Sequence, residues 1–201
     1  MSGSVIISAA VEGLVDEAVV RKLIAHAGGC PGTVYGKNGK EPLRQKIGGY
    51  NSAAHHAPWV VLVDLDHEEE CAPPLRAEWI PQPASHLCFR VAVREIEAWL
   101  MADAETLAAH LSVARSAVPA DPEALPHPKI ATVNLARRSR RGAVRTDMVP
   151  REGSGRSVGP AYTSRLVEYV ENRWRPDAAA QRSESLRRAI ACLKRLIEET
   201  A

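Results

Sequence analysis

Two acidic signatures end apolar runs in this chain, and their residue types suit divalent-metal chemistry on phosphate esters. Glu12 follows the run 4–11 and precedes Gly13 within Val-Glu-Gly-Leu-Val-Asp-Glu, while Asp64 and Asp66 follow the run 59–63 within Val-Asp-Leu-Asp. Strand, carboxylate, turn is how a parallel sheet presents ligands at its carboxyl edge. Residues two apart on an extended chain point to one side, so Asp64 and Asp66 share a side and could converge with Glu12 on Mg²⁺ or Mn²⁺. Such an ion polarises a phosphoryl oxygen, lowers the pKa of water and neutralises the leaving oxygen, and two ions about 3.5–4 Å apart stabilise both attack and departure. Carboxylate donors favour these ions over zinc. Glu12 fits either of two roles, ligand or general base.

The competing reading is structural. Asp and Glu often cap helices that follow strands, and Asp16 and Glu17 sit at a helix start where the macrodipole favours negative charge. Those two are read as structural. Glu12 and the Asp-x-Asp pair, in this order after successive strands, favour the metal site. Glu68 to Glu70 form a solvated run that could supply an outer ligand, and His67 beside Asp66 is the one histidine worth testing.

Further along, Glu95 and Glu97 lie where another strand ends and a helix begins, the same edge of the sheet, and are candidate catalytic residues. The plain alternative is an acidic first turn with an Arg94–Glu97 pair, worth about 0.2–0.5 kcal/mol. Trp99 reads as core. Arg137, Arg138, Arg140, Arg141, Arg145, Arg151 and Arg156 face only Asp147 and Glu152 as local acids. A flexible, Gly-containing arginine loop of this kind can follow a phosphate backbone irrespective of base sequence. No aromatic is interleaved, so base stacking is not expected. Lys129 is a further candidate phosphate contact.

Elements able to position these residues alternate through the first half. A strand at 5–11 leads to a helix at 16–27 with Val19, Val20, Leu23 and Ile24 at helical spacing. A short strand at 33–35, a polar helix at 41–54 weakened by Gly48 and Gly49, a strand at 59–63 and a strand at 86–93 follow. One long helix is expected over 95–111. This alternation predicts an α/β fold, a mostly parallel sheet covered by helices on both faces. Prolines 119, 122, 126 and 128 then mark a loop or boundary. A short helix at 131–138, an irregular Arg-rich stretch at 137–159 and helices at 162–174 and 183–200 form a helical extension, the last packing back on the sheet through Leu186, Ile190, Leu193 and Ile197. The expected division is 1–117 and 118–201 on one core.

Composition narrows the class. The 201 residues, 45% apolar, suffice for a buried core that must be mostly aliphatic, with one Phe, four Trp and four Tyr. A net charge of +2 leaves any basic surface local. Cys30, Cys71, Cys88 and Cys192 show no CxxC spacing and no signal-peptide pattern precedes them, so neither a zinc site nor a disulfide framework is expected, and the cytoplasm is the expected compartment. No apolar run is long enough to span a bilayer, so no membrane partner is expected.

Glu12-Gly13-x-x-Asp16-Glu17 after the first strand, with Asp64-x-Asp66 after a later one, resembles the TOPRIM domain of topoisomerases, bacterial primases, recombination proteins and OLD-type nucleases, over roughly residues 4–103. Arg94 to Leu100, the pair Pro128-Lys129, Val158 to Tyr162 and Ser183 to Arg188 resemble a compact bacterial TOPRIM-like family of uncharacterised proteins associated with phage defence. The resemblance implies a Rossmann-like TOPRIM sheet and a Mg²⁺- or Mn²⁺-dependent nuclease. Its metal ligands would be Glu12, Asp64 and Asp66, its substrate nucleic acid, with DNA favoured. Two alternatives use the same signature: a non-catalytic TOPRIM module docking on a partner ATPase, and a small phosphate-ester hydrolase. The chain has no P-loop motif, so any ATPase would be a separate chain.

Overall fold

The computed structural model describes residues 4–66 and 70–201. His67, Glu68 and Glu69, part of the acidic run named above, lie outside the described residues. The chain forms β1 (Ile6–Val11), α1 (Leu14–His26), β2 (Cys30–Gly36), α2 (Lys40–Gln45), α3 (Ile47–Ala53), β3 (Trp59–Asp64), α4 (Ala72–Trp79), β4 (Leu87–Ala92), α5 (Ile96–Ala102) and α6 (Ala104–Leu111). After a 3₁₀ turn at Arg115–Ala117 come α7 (Pro128–Arg137), α8 (Gly142–Met148), α9 (Tyr162–Asn172), α10 (Pro176–Ala180) and α11 (Glu184–Thr200). Two compact units result, residues 1–93 with 185–201 and residues 94–184.

The first unit is a Rossmann-like α/β layer. Among the described residues its sheet has four parallel strands in the order β2-β1-β3-β4. The chain therefore steps outward from β1 to β2, returns to β3 and steps outward again to β4. Its topological switch point lies between β1 and β3. Every residue of β3 is buried, as a strand covered on both faces requires.

Side chains alternate between those faces. Ala10, Val61, Val63, Phe89 and Val91 pack with Leu43 of α2, Leu75 and Trp79 of α4, and Ile80. The alternate positions point the other way, where α1 buries Val19, Leu23 and Ile24 and α11 buries Leu186, Ile190 and Leu193. The last three recur at i, i+4, i+7, and each contributes on the order of 1.5–3 kcal/mol by its burial. The expectation that the last helix returns to the sheet holds. A Cys88–Cys192 disulfide joins β4 to α11, and the Val93 N–H donates to Ser185 Oγ at 3.4 Å. The expectation of no disulfide is thereby corrected: the two cysteines are 104 residues apart, a pairing that only the tertiary fold brings about.

Three local expectations are also corrected. β2 runs through Cys30-Pro31-Gly32, whose pairing with β1 shifts register between Ile7 and Ala9, a bulge that an edge strand tolerates. The polar helix breaks into α2 and α3 at Lys46. The long helix breaks at Asp103, whose ψ of 70° is not helical. There the Asp103 carboxylate accepts the Arg175 backbone N–H at 3.1 Å and the guanidinium at 3.0 and 2.7 Å.

The second unit is helical. Trp99, Tyr169 and Trp174 are its large buried side chains, with Trp174 Nε1 donating to the Trp99 carbonyl at 3.3 Å and Tyr169 Oη 2.9 Å from Thr106 Oγ1. Trp99 is core, as expected. Arg182 donates to the carbonyls of Ala102, Pro119 and Ala120, fixing the start of the Pro-rich loop. No helix among the described residues is long and apolar enough to cross a membrane.

Glycines separate two kinds of backbone constraint. Gly28 and Gly36 both have positive φ, but a Cβ on Gly28 meets open space while one on Gly36 would lie 2.2 Å from the Val11 carbonyl oxygen. Gly28→Ala is expected to cost about 1–2 kcal/mol from left-handed backbone alone. Gly36→Ala must in addition push β2 from β1, and should cost at least ~2 kcal/mol more. Urea unfolding followed by circular dichroism measures both, and equal costs would contradict this packing.

Candidate active site

β1 ends at Val11, and Glu12 begins the exit toward α1. Gly13 is extended there, with φ −144° and ψ 179°. The last pairing of β1 with β3 is Val11 with Leu62, so the Asp64 amide lies beyond β1's backbone acceptors. Glu12 Oε1 accepts that N–H at 2.8 Å. The carboxylate therefore bridges β1 and β3 at the switch point, where open α/β sheets bind ligands.

Asp64 is the final residue of β3 and is 7% exposed. Asp66 follows in a left-handed turn with φ 53°, which lets the chain turn as soon as the strand is complete. Lys40 reaches in from the start of α2. Its Nζ donates to the Asp64 carbonyl at 2.7 Å and to Asp66 Oδ2 at 2.9 Å. The Gly39 amide, hydrogen-bonded to the Glu12 carbonyl at 2.9 Å, anchors the turn before it. A lone lysine 24 residues upstream of Asp64 gave no sequence signal.

Electrostatics single out Glu12. Burial is the largest influence on its carboxyl and raises its pKa, with Asp16 and Asp66 adding to the rise. The Asp64 N–H and the Lys40 ammonium pull the other way without cancelling it, leaving the group at about 7. A carboxyl poised there can both take and return a proton near neutrality.

Glu12, Asp64 and Asp66 offer hard oxygen donors, and that donor chemistry fits Mg²⁺ or Mn²⁺. Among the described residues, no three His, Cys, Asp or Glu side chains gather into a group that could hold a metal ion. The positive charge beside Asp66 is the Lys40 ammonium.

Glu95 and Glu97 belong to the second unit. Glu95 Oε2 accepts the Lys129 backbone N–H at 2.6 Å at the start of α7, a capping role. Glu97 is 2% exposed and its Oε1 accepts from Tyr162 Oη at 3.1 Å. Burial first, and the Glu97 carboxylate second, hold the Tyr162 hydroxyl well above the usual tyrosine range, so it remains a donor. Lys129 Nζ lies 3.8 Å from Glu95 and 3.9 Å from Glu97.

No protein-family model, curated protein or solved structure matches this chain.

The arginine segment is more ordered than its composition implies. Arg137 ends α7, Arg138 to Arg141 form the turn to α8, and Arg145 lies within α8. All five arginines, 137, 138, 140, 141 and 145, are exposed. The turn is pinned by Arg140 N–H to the Ser112 carbonyl at 3.1 Å and by Arg145 to the Ser139 carbonyl. Val144 and Met148 bury one side of α8, so 142–148 of the stretch expected to be irregular is helical, while 149–159, with Arg151 and Arg156, is irregular as expected.

Linkage at Glu12 gives a pH signature. Its folded pKa of about 7 lies above the model-peptide value of 4.5. The folded protein therefore holds a proton that the unfolded chain has lost, and the stability from this group declines as pH rises from 4.5 through about 7. Glu12→Gln keeps the acceptor for Asp64 and removes the titration. With chelator present, its melting temperature should match the parent's below pH 4.5 and exceed it above pH 7. A constant difference across that range would remove Glu12 as a perturbed acid.

Proposed function

We propose that this chain is a TOPRIM-like, metal-dependent phosphodiesterase acting on nucleic acid, with DNA the favoured substrate. The observation that carries the reading is the Glu12–Asp64 contact at the carboxyl ends of β1 and β3, with Asp66 on the adjoining turn.

In this reading Asp64 and Asp66 would hold Mg²⁺ or Mn²⁺, which when bound would neutralise charge on the phosphoryl oxygens and the leaving oxygen, with Glu12 either a third ligand or the general base. As the base, Glu12 takes the proton of the attacking water as the new P–O bond forms and passes it to solvent, and the 3′-oxygen, leaving on the opposite side of phosphorus, is protonated by solvent. Lys40 adds a fixed cation at the same edge, suited to a non-bridging phosphoryl oxygen. The exposed arginines of α7, α8 and the turn between them supply cationic surface for a phosphate backbone, with Lys129 a lesser contact because its ammonium lies near Glu95 and Glu97.

One observation favours a second reading, a non-catalytic TOPRIM module that docks on a separate ATPase. The Lys40–Asp66 ion pair at 2.9 Å already neutralises a carboxylate that a metal would need. The two readings differ in a direct assay of the purified chain. With Mn²⁺ and labelled DNA, Asp64→Asn and Asp66→Asn should each reduce cleavage at least about a hundredfold while circular dichroism stays unchanged. No cleavage by the parent would favour the docking module, and full cleavage by both variants would remove Asp64 and Asp66 as the site.

The arginines are tested separately, by binding with Ca²⁺ in place of Mn²⁺. Replacing Arg137, Arg138, Arg140 and Arg141 with Ser should weaken binding to unrelated sequences alike. The slope of log K against log salt should flatten by up to ~0.9 per lost contact on duplex DNA. An unchanged slope would leave these arginines as solvated surface.

A further inference from the structure

A second concave site lies in the first unit, along β4 at the edge of the sheet. The cleft has a volume of about 430 Å³, within the range that holds small organic ligands. Arg76 of α4, Arg90 of β4 and Arg188 of α11 line it, together with Pro73, Pro81 and Pro83. The three prolines are exposed and give one wall of the cleft an apolar rim.

Arg90 is the informative residue. It alternates with Phe89 and Val91, which face α4, and so points to the α11 side of the strand. Its Nε is buried and has no hydrogen-bond partner among the described residues. Burial lowers the pKa of this guanidinium, and Arg76, Arg188 and Arg195 lower it further. Every neighbouring charge named there has the same sign as its own. A buried donor without a partner is costly, and like charges around this half-buried guanidinium add to the cost. A bound anion would reverse both effects.

The shape narrows the class of anion. Guanidiniums arriving from a strand and from two helices can chelate a phosphate through several N–H donors at once, which one surface arginine cannot do. The proline rim leaves room for a flat, less polar group beside it. We propose that this cleft binds the phosphate of a nucleotide, with Arg76, Arg90 and Arg188 on the phosphate and the nucleoside against the prolines. The nucleotide is either free or the 5′-phosphorylated end of a nucleic acid strand. The two sources share one chemistry. This inference does not rest on the carboxylate site, because none of its residues is shared with Glu12, Asp64 or Asp66.

The test uses the full chain in chelator, so that cleavage and metal binding are suppressed. Calorimetry would compare ATP, AMP, inorganic pyrophosphate, and a tetranucleotide with and without its 5′-phosphate. The parent should bind at least one nucleotide-bearing phosphate, and bind pyrophosphate at least tenfold more weakly. A preference for ATP or AMP identifies a free nucleotide, and a preference for the phosphorylated tetranucleotide over its 5′-hydroxyl twin identifies a strand end. Arg90→Met should lose at least tenfold in affinity. It should also melt higher than the parent in phosphate-free buffer, because it removes a half-buried guanidinium that sits among like charges. Arg76→Gln, at an exposed helix position, gives the same loss of binding without touching the sheet, and decides the matter if Arg90→Met does not fold. The proposal is overturned if the parent binds none of the nucleotides, if pyrophosphate binds as tightly as they do, or if Arg76→Gln binds as the parent does.

Discussion

The hydrogen bond from the Asp64 amide to the Glu12 carboxylate is the constraint on which the rest of the first unit depends. Parallel strands share a ladder only while both continue, and β1 turns away at Gly13 while β3 still has a residue to pair. The Asp64 N–H would be left without a backbone acceptor at the centre of the sheet, a cost that buried amides rarely bear. A side chain substitutes for the missing backbone. The substitution places a carboxylate where water is largely excluded, and the displaced proton equilibrium of Glu12 follows from that position. The structural need and the chemical opportunity at this edge have one origin.

The same balance recurs in the second unit, with different donors. Burial alone would raise the Asp103 carboxyl, but hydrogen bonds from Arg175 and Thr106 outweigh it and hold the group below the usual range. Glu97 is met by the Tyr162 hydroxyl, and Glu123 by Ser183 Oγ and the Glu184 amide. Asp103, Glu97 and Glu123 therefore each meet a dedicated donor. The buried Nε of Arg90 breaks that pattern, with cations rather than carboxylates around it.

What the sequence disclosed and what it withheld divide along physical lines. β1, β3 and β4 were legible because strands buried on both faces read as continuous apolar runs, and α11 because its stripe is periodic over 17 residues. Edges were not. β2 begins with Cys-Pro-Gly, which signals a turn in isolation and is tolerated only beside β1. The break at Asp103 depends on Arg175, 72 residues on, and α8 on burying Val144 and Met148. Glu12 and Asp64 were legible through their place after strands. Lys40, Tyr162 and Arg90 were not, because the groups around each come from residues distant in sequence. The contact of Glu12 with the end of β3 follows from the switch point, whereas the resemblance to TOPRIM proteins rests on the sequence motifs alone.

The order of the units along the chain also bears on how the protein is made. Residues 94–184 are inserted between β4 and the helix that completes the sheet's second face. On the ribosome, the sheet would wait with the β4 surface that α11 covers exposed while the whole inserted unit is translated. At 5–20 residues per second that delay is roughly 5–20 s, during which an aliphatic surface lacks its cover. The inserted helices can meanwhile fold from contacts internal to their own unit. Cys88 likewise waits for Cys192, so the covalent tie between β4 and α11 closes only after the helix has docked. Chaperone dependence in this protein should therefore centre on the nascent sheet, and a circular permutant that places α11 ahead of β1 would shorten its exposure.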